Sequence, residues 1–307
     1  MPALITHHFF GLEVLTRWTP YDRFSTQERQ AFLLGCQGSD PLYFSFSDAL
    51  NSRSRHLASQ MHCEKVVEVF EWLRKGHTEL SMEQRRIAEA YARGWLCHFS
   101  LDSTAHPLVY YYEQEICSAG VAGLDLDSRA EVHLQIESDI DAGVLYRRAG
   151  QTIRSFRPMD EIMLVDNRTL QEISQLFGGL AAEVYGVDLS GKSFLHSCQS
   201  MRLSYNLVYS PSGAGRALIG SLERLVRKHS AAQAVSHRVD VGEYSDFDNQ
   251  AQEQWVNPFT GEACSSSFEQ LFYTALEQAV IRMEQYSQHV SSEQLVGSLN
   301  YMGSIIN

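Results

Sequence analysis

Residues 94–112, GWLCHFSLDSTAHPLVYYY, set His98, Asp102 and His106 at four-residue intervals inside an otherwise apolar segment. On a helix, residues i and i+4 share a face, so these three side chains project from one stripe. A stripe of ionisable groups cannot be buried without partners, because each uncompensated group costs on the order of a few kcal/mol. The rest of the chain must therefore bring partners to it.

The surrounding pattern predicts an all-α protein. Apolar residues recur at three- and four-residue spacing in long windows, and period-two runs of Val, Ile and Thr are scarce. Helices are expected over residues 26–36, 56–75, 82–106, 127–149, 167–186, 192–209, 214–230 and 265–290. Ser81 with Gln84 forms a capping box for the third. The second ends in a basic turn followed by Gly76, a common stop signal. Pro107 disfavours helical geometry at His106, which predicts a helix end or bend there. The segments 150–166 and 231–264 break the periodicity and read as connections. A division near residue 155 follows, with a metal-binding helical core over 1–155 and additional helices over 156–307 packed on it. The last residues, SLNYMGSIIN, are expected either to dock or to fray.

The formal net charge of −12 is the wrong sign for tracking a long nucleic acid, and it leaves a small anionic substrate open. Bound cations would reverse the field locally. Six cysteines, Cys36, Cys63, Cys97, Cys117, Cys198 and Cys264, form no CxxC pair, which fits a reduced, intracellular setting. MPALITHHFF lacks a basic and apolar leader pattern, and no run reaches the roughly 20 apolar residues that span a bilayer. A cytoplasmic location is expected.

Imidazoles and carboxylates concentrate before residue 142: His7, His8, Asp40, His56, His62, His98, Asp102, His106, His133, Glu137, Asp139 and Asp141. His133 and Glu137 repeat the i, i+4 pairing of His98 and Asp102 on a second predicted helix. Two neighbouring helices would then face each other with nitrogen and oxygen donors. That donor set suits Zn²⁺ and similar divalent ions, and helical bundles can build multi-metal sites from inward-projecting side chains.

The order of the motifs resembles the zinc-dependent phospholipase C family, whose helical fold is shared more distantly with the S1/P1-type nucleases. The carrying segments are THHFFG at 6–11, GCQGSDPLYF at 35–44, MHCEKVVEVF at 61–70, CHFSLDSTAHP at 97–107 and HLQIESDID at 133–141. They cover roughly the first half of the chain. The resemblance implies a zinc cluster in which His62, His98 and Asp102 hold one ion and His106, His133 and Glu137 a second. Asp102 would also bridge toward a third ion at His7. Secreted members of the family complete that third site with a processed N-terminal tryptophan, whereas this chain reads Met-Pro-Ala. The third ion would then recruit another ligand such as Asp40, or be absent, giving two or three ions.

His8 can replace His7, since adjacent residues rarely face the same way. By the same resemblance Asp40 sits beside the cluster as a general base; on its own, the SDP sequence also fits a turn or N-cap aspartate. His56 lies off the face of His62, and Asp139 and Asp141 follow Glu137, so these three are further candidates as ligands or as groups orienting one. Cys63 and Cys97 turn away from their neighbouring histidines and read as core residues. His77, His196, His229, His237 and His289 have no partner at ligand spacing and read as surface or structural. Tyr110–Tyr112, Phe44 and Phe46 fit core packing or a cation-binding wall, and the turn WVNPFTG at 255–261 fits a cover over the site or an assembly contact.

The chemistry implied is hydrolysis of a small phosphodiester or a phospholipid by metal-activated water. A protein nucleophile is not required, which agrees with the absence of a GxSxG elbow, a P-loop and HExxH. GAGRALIG at 213–220 has the wrong glycine spacing for a dinucleotide fingerprint. Two other functions remain open at this point: a nuclease or small-nucleotide phosphodiesterase, and a metal-stabilised helical module without turnover.

Overall fold

A computed structural model describes residues 3–18, 23–45, 53–75, 80–120, 125–214, 234, 236–237, 245 and 247–306. Helices supply nearly all of its regular structure: α1 (Leu4–Arg17), α2 (Thr26–Gly35), α3 (Arg53–Cys63), α4 (Val66–Lys75), α5 (Met82–Ser118), α6 (Arg129–Ala149), α7 (Pro158–Glu161), α8 (Asn167–Tyr185), α9 (Ser193–Val208), α10 (Phe268–Ser287) and α11 (Ser292–Val296). A 3-10 turn spans Asp40–Phe44, and a two-stranded antiparallel ribbon pairs β1 (Trp255–Val256) with β2 (Ala263–Cys264). The protein is mostly helical, in line with the all-α expectation. No described helix is long and apolar enough to cross a membrane.

The spine is α5, about 55 Å long at the rise of an α-helix. Its start is fixed by the Ser81–Gln84 capping box, with both reciprocal bonds made. It does not stop at His106. Pro107 lies inside it, and the helix runs a further eleven residues to Ser118. A proline removes one helical hydrogen bond and crowds the carbonyl four residues back, here Ser103. Gly303 packs directly on that notch, against Ser103 O and the Pro107 ring.

The second expected helix, 56–75, is also corrected. It divides into α3 and α4 at Lys65, whose φ of 58° is left-handed. The last carbonyls of α3 are taken by distant donors: Tyr301 N–H donates to His62 O at 3.1 Å and Asn300 Nδ2 to Cys63 O at 3.4 Å. Lys65 Nζ donates to Val184 O across the same turn. Tertiary contacts therefore impose a helix end that the periodicity does not show.

Helix α1 was not among the expected elements, and its N-terminus explains why. It has no side-chain cap of its own. The N–H groups of Ile5 and Thr6 donate instead to the Asp141 carboxylate of α6, at 3.1 and 2.8 Å. The helices expected at 26–36, 127–149, 167–186, 192–209 and 265–290 are found with ends shifted by a few residues. Two further short helices are present: α7 lies in the stretch 150–166 read as a connection, and α11 lies between the helix expected at 265–290 and the tail. Nearly all of the helix expected at 214–230, with Phe46, Gly76, His77, His229 and most of GAGRALIG, lies outside the described residues.

One continuous apolar core runs from Leu4 to Tyr301. Trp95 of α5 stacks on Phe177 of α8, which stacks on Phe194 of α9, with ring centroids 5.7 and 4.4 Å apart. Beside this stack, α2 approaches α5 backbone to backbone. A Cβ on Gly35 would overlap the Tyr91 carbonyl, and one on Gly94 would overlap the Phe32 carbonyl. That close crossing places the turn after α2, and hence Asp40, beside His98. Gly94→Ala is expected to cost about 1–3 kcal/mol of stability through overpacking, read as a lower urea midpoint; an unchanged midpoint would show that the crossing is not this tight.

Candidate metal centre

Five elements deliver side chains to one buried point. From α5 come His98, Asp102 and His106; from α6, His133 and Glu137; from α1, His7; from α3, His62; and from the 3-10 turn, Asp40. Every one of these residues is at most 9% exposed. Asp102 is the hub. Its oxygens lie 3.0 Å from His7 Nε2, 3.3 Å from His98 Nε2, and 3.8 Å from both His62 Nε2 and His106 Nε2.

Three groups of donors are close enough to hold an ion each: His7, Asp40 and His98; His62, His98 and Asp102; and His106, His133 and Glu137. Within each group the ligand atoms lie within 4.8 Å of one another. His98 belongs to two groups, and its Nδ1 is 3.4 Å from His7 Nδ1. Gly38, with a left-handed φ of 52°, is needed here, because any Cβ at that position would collide with the His98 ring.

The remaining polar atoms bear on whether such a set fits a cation. His62 Nδ1 is 2.8 Å from Ala58 O, His106 Nδ1 is 2.7 Å from Tyr301 O, and His133 Nδ1 is 2.9 Å from Glu113 Oε2. Carbonyl and carboxylate oxygens only accept, so each Nδ1 carries the proton and each Nε2 turns inward, the arrangement that orients metal-ligating histidines. His62 Nε2, His98 Nε2, Asp102 Oδ2 and Glu137 Oε2 are buried and make no hydrogen bond among the described residues. Buried polar atoms are ordinarily satisfied; a cation held by His62, His98 and Asp102 would satisfy three of the four, and one held by His106, His133 and Glu137 the fourth. The mixed nitrogen and oxygen donors suit a borderline divalent ion.

The electrostatics follow from burial set against neighbouring charge. Burial pushes the His98 imidazole down to about 3 in spite of the adjacent Asp102 carboxylate. Burial also opposes charge on His133, but Glu137 and the hydrogen bond to Glu113 outweigh it and hold the imidazole up at about 9. For Asp102, burial works upward, yet His106, His98 and His7 around it keep the carboxyl well below its ordinary value.

Of the other residues singled out from sequence, His8 is buried beside Phe9 and held down to about 4, by burial and then by Arg29, and it belongs to none of the three groups. The structure thus points His7, not His8, at the cluster. His56 is exposed on α3 and also lies outside the groups. Asp139 accepts from Ser245 Oγ. Asp141 is bonded to the α1 N-terminus and to His237 Nε2 at 3.0 Å, so it supports the element that carries His7. Glu113 joins the cluster through His133 Nδ1 and is not among the residues singled out from sequence. It follows His106 by seven residues on the same face of α5, and that spacing was the available signal.

A cavity of about 230 Å³ reaches the cluster on the side of His62, His106 and His133, walled by Tyr43, Cys63, Tyr110, Glu113 and Met302. The Tyr110 ring packs on His133 and on Phe259, so the turn between β1 and β2 lies against the cavity wall. Tyr111 packs on Trp255 and Tyr112 on Phe247. Of the cysteines beside ligand histidines, Cys97 is buried against Met283, while Cys63 is half-buried at the cavity. No family model, curated protein or solved structure matches the chain.

At pH 7 the metal-free chain keeps His133 protonated, since its imidazole is held at about 9. A ligand nitrogen must lose that proton, so uptake of zinc is expected to release about one proton from this residue and to tighten as pH rises toward 9. Calorimetry in two buffers of different ionisation enthalpy reads the release. An apparent binding enthalpy identical in both would contradict it.

Proposed function

We propose that the protein is a zinc-dependent phosphodiester hydrolase of the phospholipase C type. The observation that carries this reading is the convergence of three His/Asp/Glu groups around Asp102, with a cavity lined by three of their imidazoles, His62, His106 and His133. The motif order of the first half of the sequence, with its resemblance to the zinc-dependent phospholipases C, supports it. In this reading His62, His98 and Asp102 hold one zinc ion and His106, His133 and Glu137 a second; the third group, His7, Asp40 and His98, shares His98 with the first, and Asp40 serves there as the base.

Zinc bound there supplies Lewis acidity, which makes water nucleophilic at neutral pH and neutralises charge on a phosphodiester. The chain's own groups do the rest. The Asp40 carboxylate is buried beside His62 Nε2 at 3.2 Å. Burial works to raise its pKa, but neighbouring positive charge, His62 and His98 among its sources, holds it below the ordinary carboxylate range. Asp40 is therefore ionised at neutral pH and able to accept the proton of the attacking water. Glu113 and the Tyr301 carbonyl keep two imidazoles aimed. Tyr43 and Tyr110 give the cavity aromatic walls, and among the described residues no Lys or Arg lines it. With the net charge of −12, this favours a small or apolar phosphodiester over a long nucleic acid.

Turnover on phosphatidylcholine, an aryl phosphodiester and single-stranded DNA, measured side by side with zinc present, tests the reading. Hydrolysis of either of the first two supports it; cleavage of DNA alone makes the protein a nuclease, and failure on all three with zinc tightly bound makes it a non-catalytic module. Asp40→Asn is expected to lower kcat by about 10²–10⁴-fold with zinc retained. Loss of an ion in that variant would instead make Asp40 a ligand only.

A further inference from the structure

The outer nitrogen of His106 is held by neither of the helices that carry the second group of ligands but by the C-terminal tail, in the half of the chain that carries no metal-ligand motif. Residues 298–306 close on themselves. Asn300 N–H donates to Ser304 O at 2.9 Å, Ile306 N–H to Ser298 O at 2.7 Å, and Leu299 bridges Ile305. The Asn300 side chain braces the interior: its Oδ1 accepts from Met302 N–H and Ser304 N–H, both at 3.0 Å. At the tip, Tyr301 is 2% exposed.

That tip meets three of the ligand histidines. The Tyr301 carbonyl accepts from His106 Nδ1 at 2.7 Å, and its N–H donates to the His62 carbonyl at 3.1 Å. Its ring centroid lies 5.3 Å from that of His62 and 5.4 Å from that of His98. A carbonyl oxygen only accepts, so its contact sets which nitrogen of His106 is protonated and leaves Nε2 to face Glu137 at 3.3 Å.

The loop is seated by an interlock that two residues make together. Pro107 has no N–H to give the Ser103 carbonyl, so the ladder of α5 is open at that point. Gly303 fills the opening at a left-handed φ of 76°. A Cβ there would lie 2.6 Å from Ser103 O and 2.7 Å from Pro107 Cγ, and both are rigid neighbours. Glycine is therefore required at 303 on two grounds, backbone conformation and space.

We propose that the loop Asn300–Ser304 is a built-in clamp that fixes the tautomer and aim of His106, with Gly303 as the positioning residue that locks it onto Pro107. Occupancy of the His106–His133–Glu137 group then depends on the C-terminal end of the chain. Gly303 touches no reacting atom and acts through Tyr301 and His106. The proposal rests on the reading of this cluster as a metal centre and adds a dependence that the ligand set alone does not imply.

The test compares Gly303→Ala with Gly186→Ala in the full chain. Gly186 has a similar φ, 67°, with nothing within 4 Å of a Cβ and no ligand on its helix, so it reports backbone strain alone. Zinc titration with elemental analysis is expected to show one ion of the wild-type set bound about 10- to 100-fold more weakly in Gly303→Ala, as when an outer partner of a ligand histidine is lost. The visible absorption of the cobalt-substituted protein should change in Gly303→Ala, while Gly186→Ala keeps the wild-type stoichiometry and spectrum. Coupling is reciprocal, so removing metal from the wild type with a chelator is expected to speed hydrogen exchange over 299–305 more than over Phe268–Ser287; this measurement decides if Gly303→Ala does not fold. Wild-type affinity and spectrum in a folded Gly303→Ala, or exchange over 299–305 that ignores the metal when that variant cannot be made, overturns the proposal alone. A wild type that binds no ion overturns the metal centre and this proposal with it.

Discussion

Everything else in the structure is arranged around a carboxylate that could not otherwise stay where it is. Asp102 is 3% exposed in the middle of the longest helix, with imidazoles from α1, α3 and two turns of α5 around it. An ionised carboxylate in such surroundings is tolerated only when countercharge is supplied at close range. The histidines supply part of it: Asp102 holds the buried His7 above its ordinary value, while burial drives His98 down to about 3. The three donor groups could hold divalent cations, which would add countercharge and would satisfy buried nitrogen and oxygen atoms that make no hydrogen bond among the described residues.

A second set of contacts keeps those imidazoles aimed. Ala58 O, Tyr301 O and Glu113 each occupy the outer nitrogen of one histidine. Asp141 performs the equivalent service for a whole helix, capping α1 from α6 so that His7 arrives beside Asp102. The glycine contact between α2 and α5 does the same for Asp40. The ligands come from the first 137 residues, while one of their supports, Tyr301, comes from the last seven.

This division explains what could be read from the residues alone. Spacing on a single helix, as in His98–Asp102–His106 and His133–Glu137, is local information, and the structure brings those residues together. The helical class was equally accessible, because it rests on periodicity. What escaped depends on partners distant in sequence. Helix α1 has no cap of its own, so its start is visible only once Asp141 is in place. The helix through Pro107 reads as an ending until Gly303 is seen to fill the notch. The break between α3 and α4 lacks glycine or proline and is set by Asn300, Tyr301 and Val184. His7 and His8 are equivalent in sequence, and only the rotation of a docked helix separates them.

The central claim is that the cluster around Asp102 is a metal centre rather than a network of buried histidines. Elemental analysis of the full chain, purified with zinc present and then freed of loosely held ions, tests it most directly. The account predicts two to three zinc ions per chain, in keeping with its three donor groups. Less than one ion per chain would contradict it.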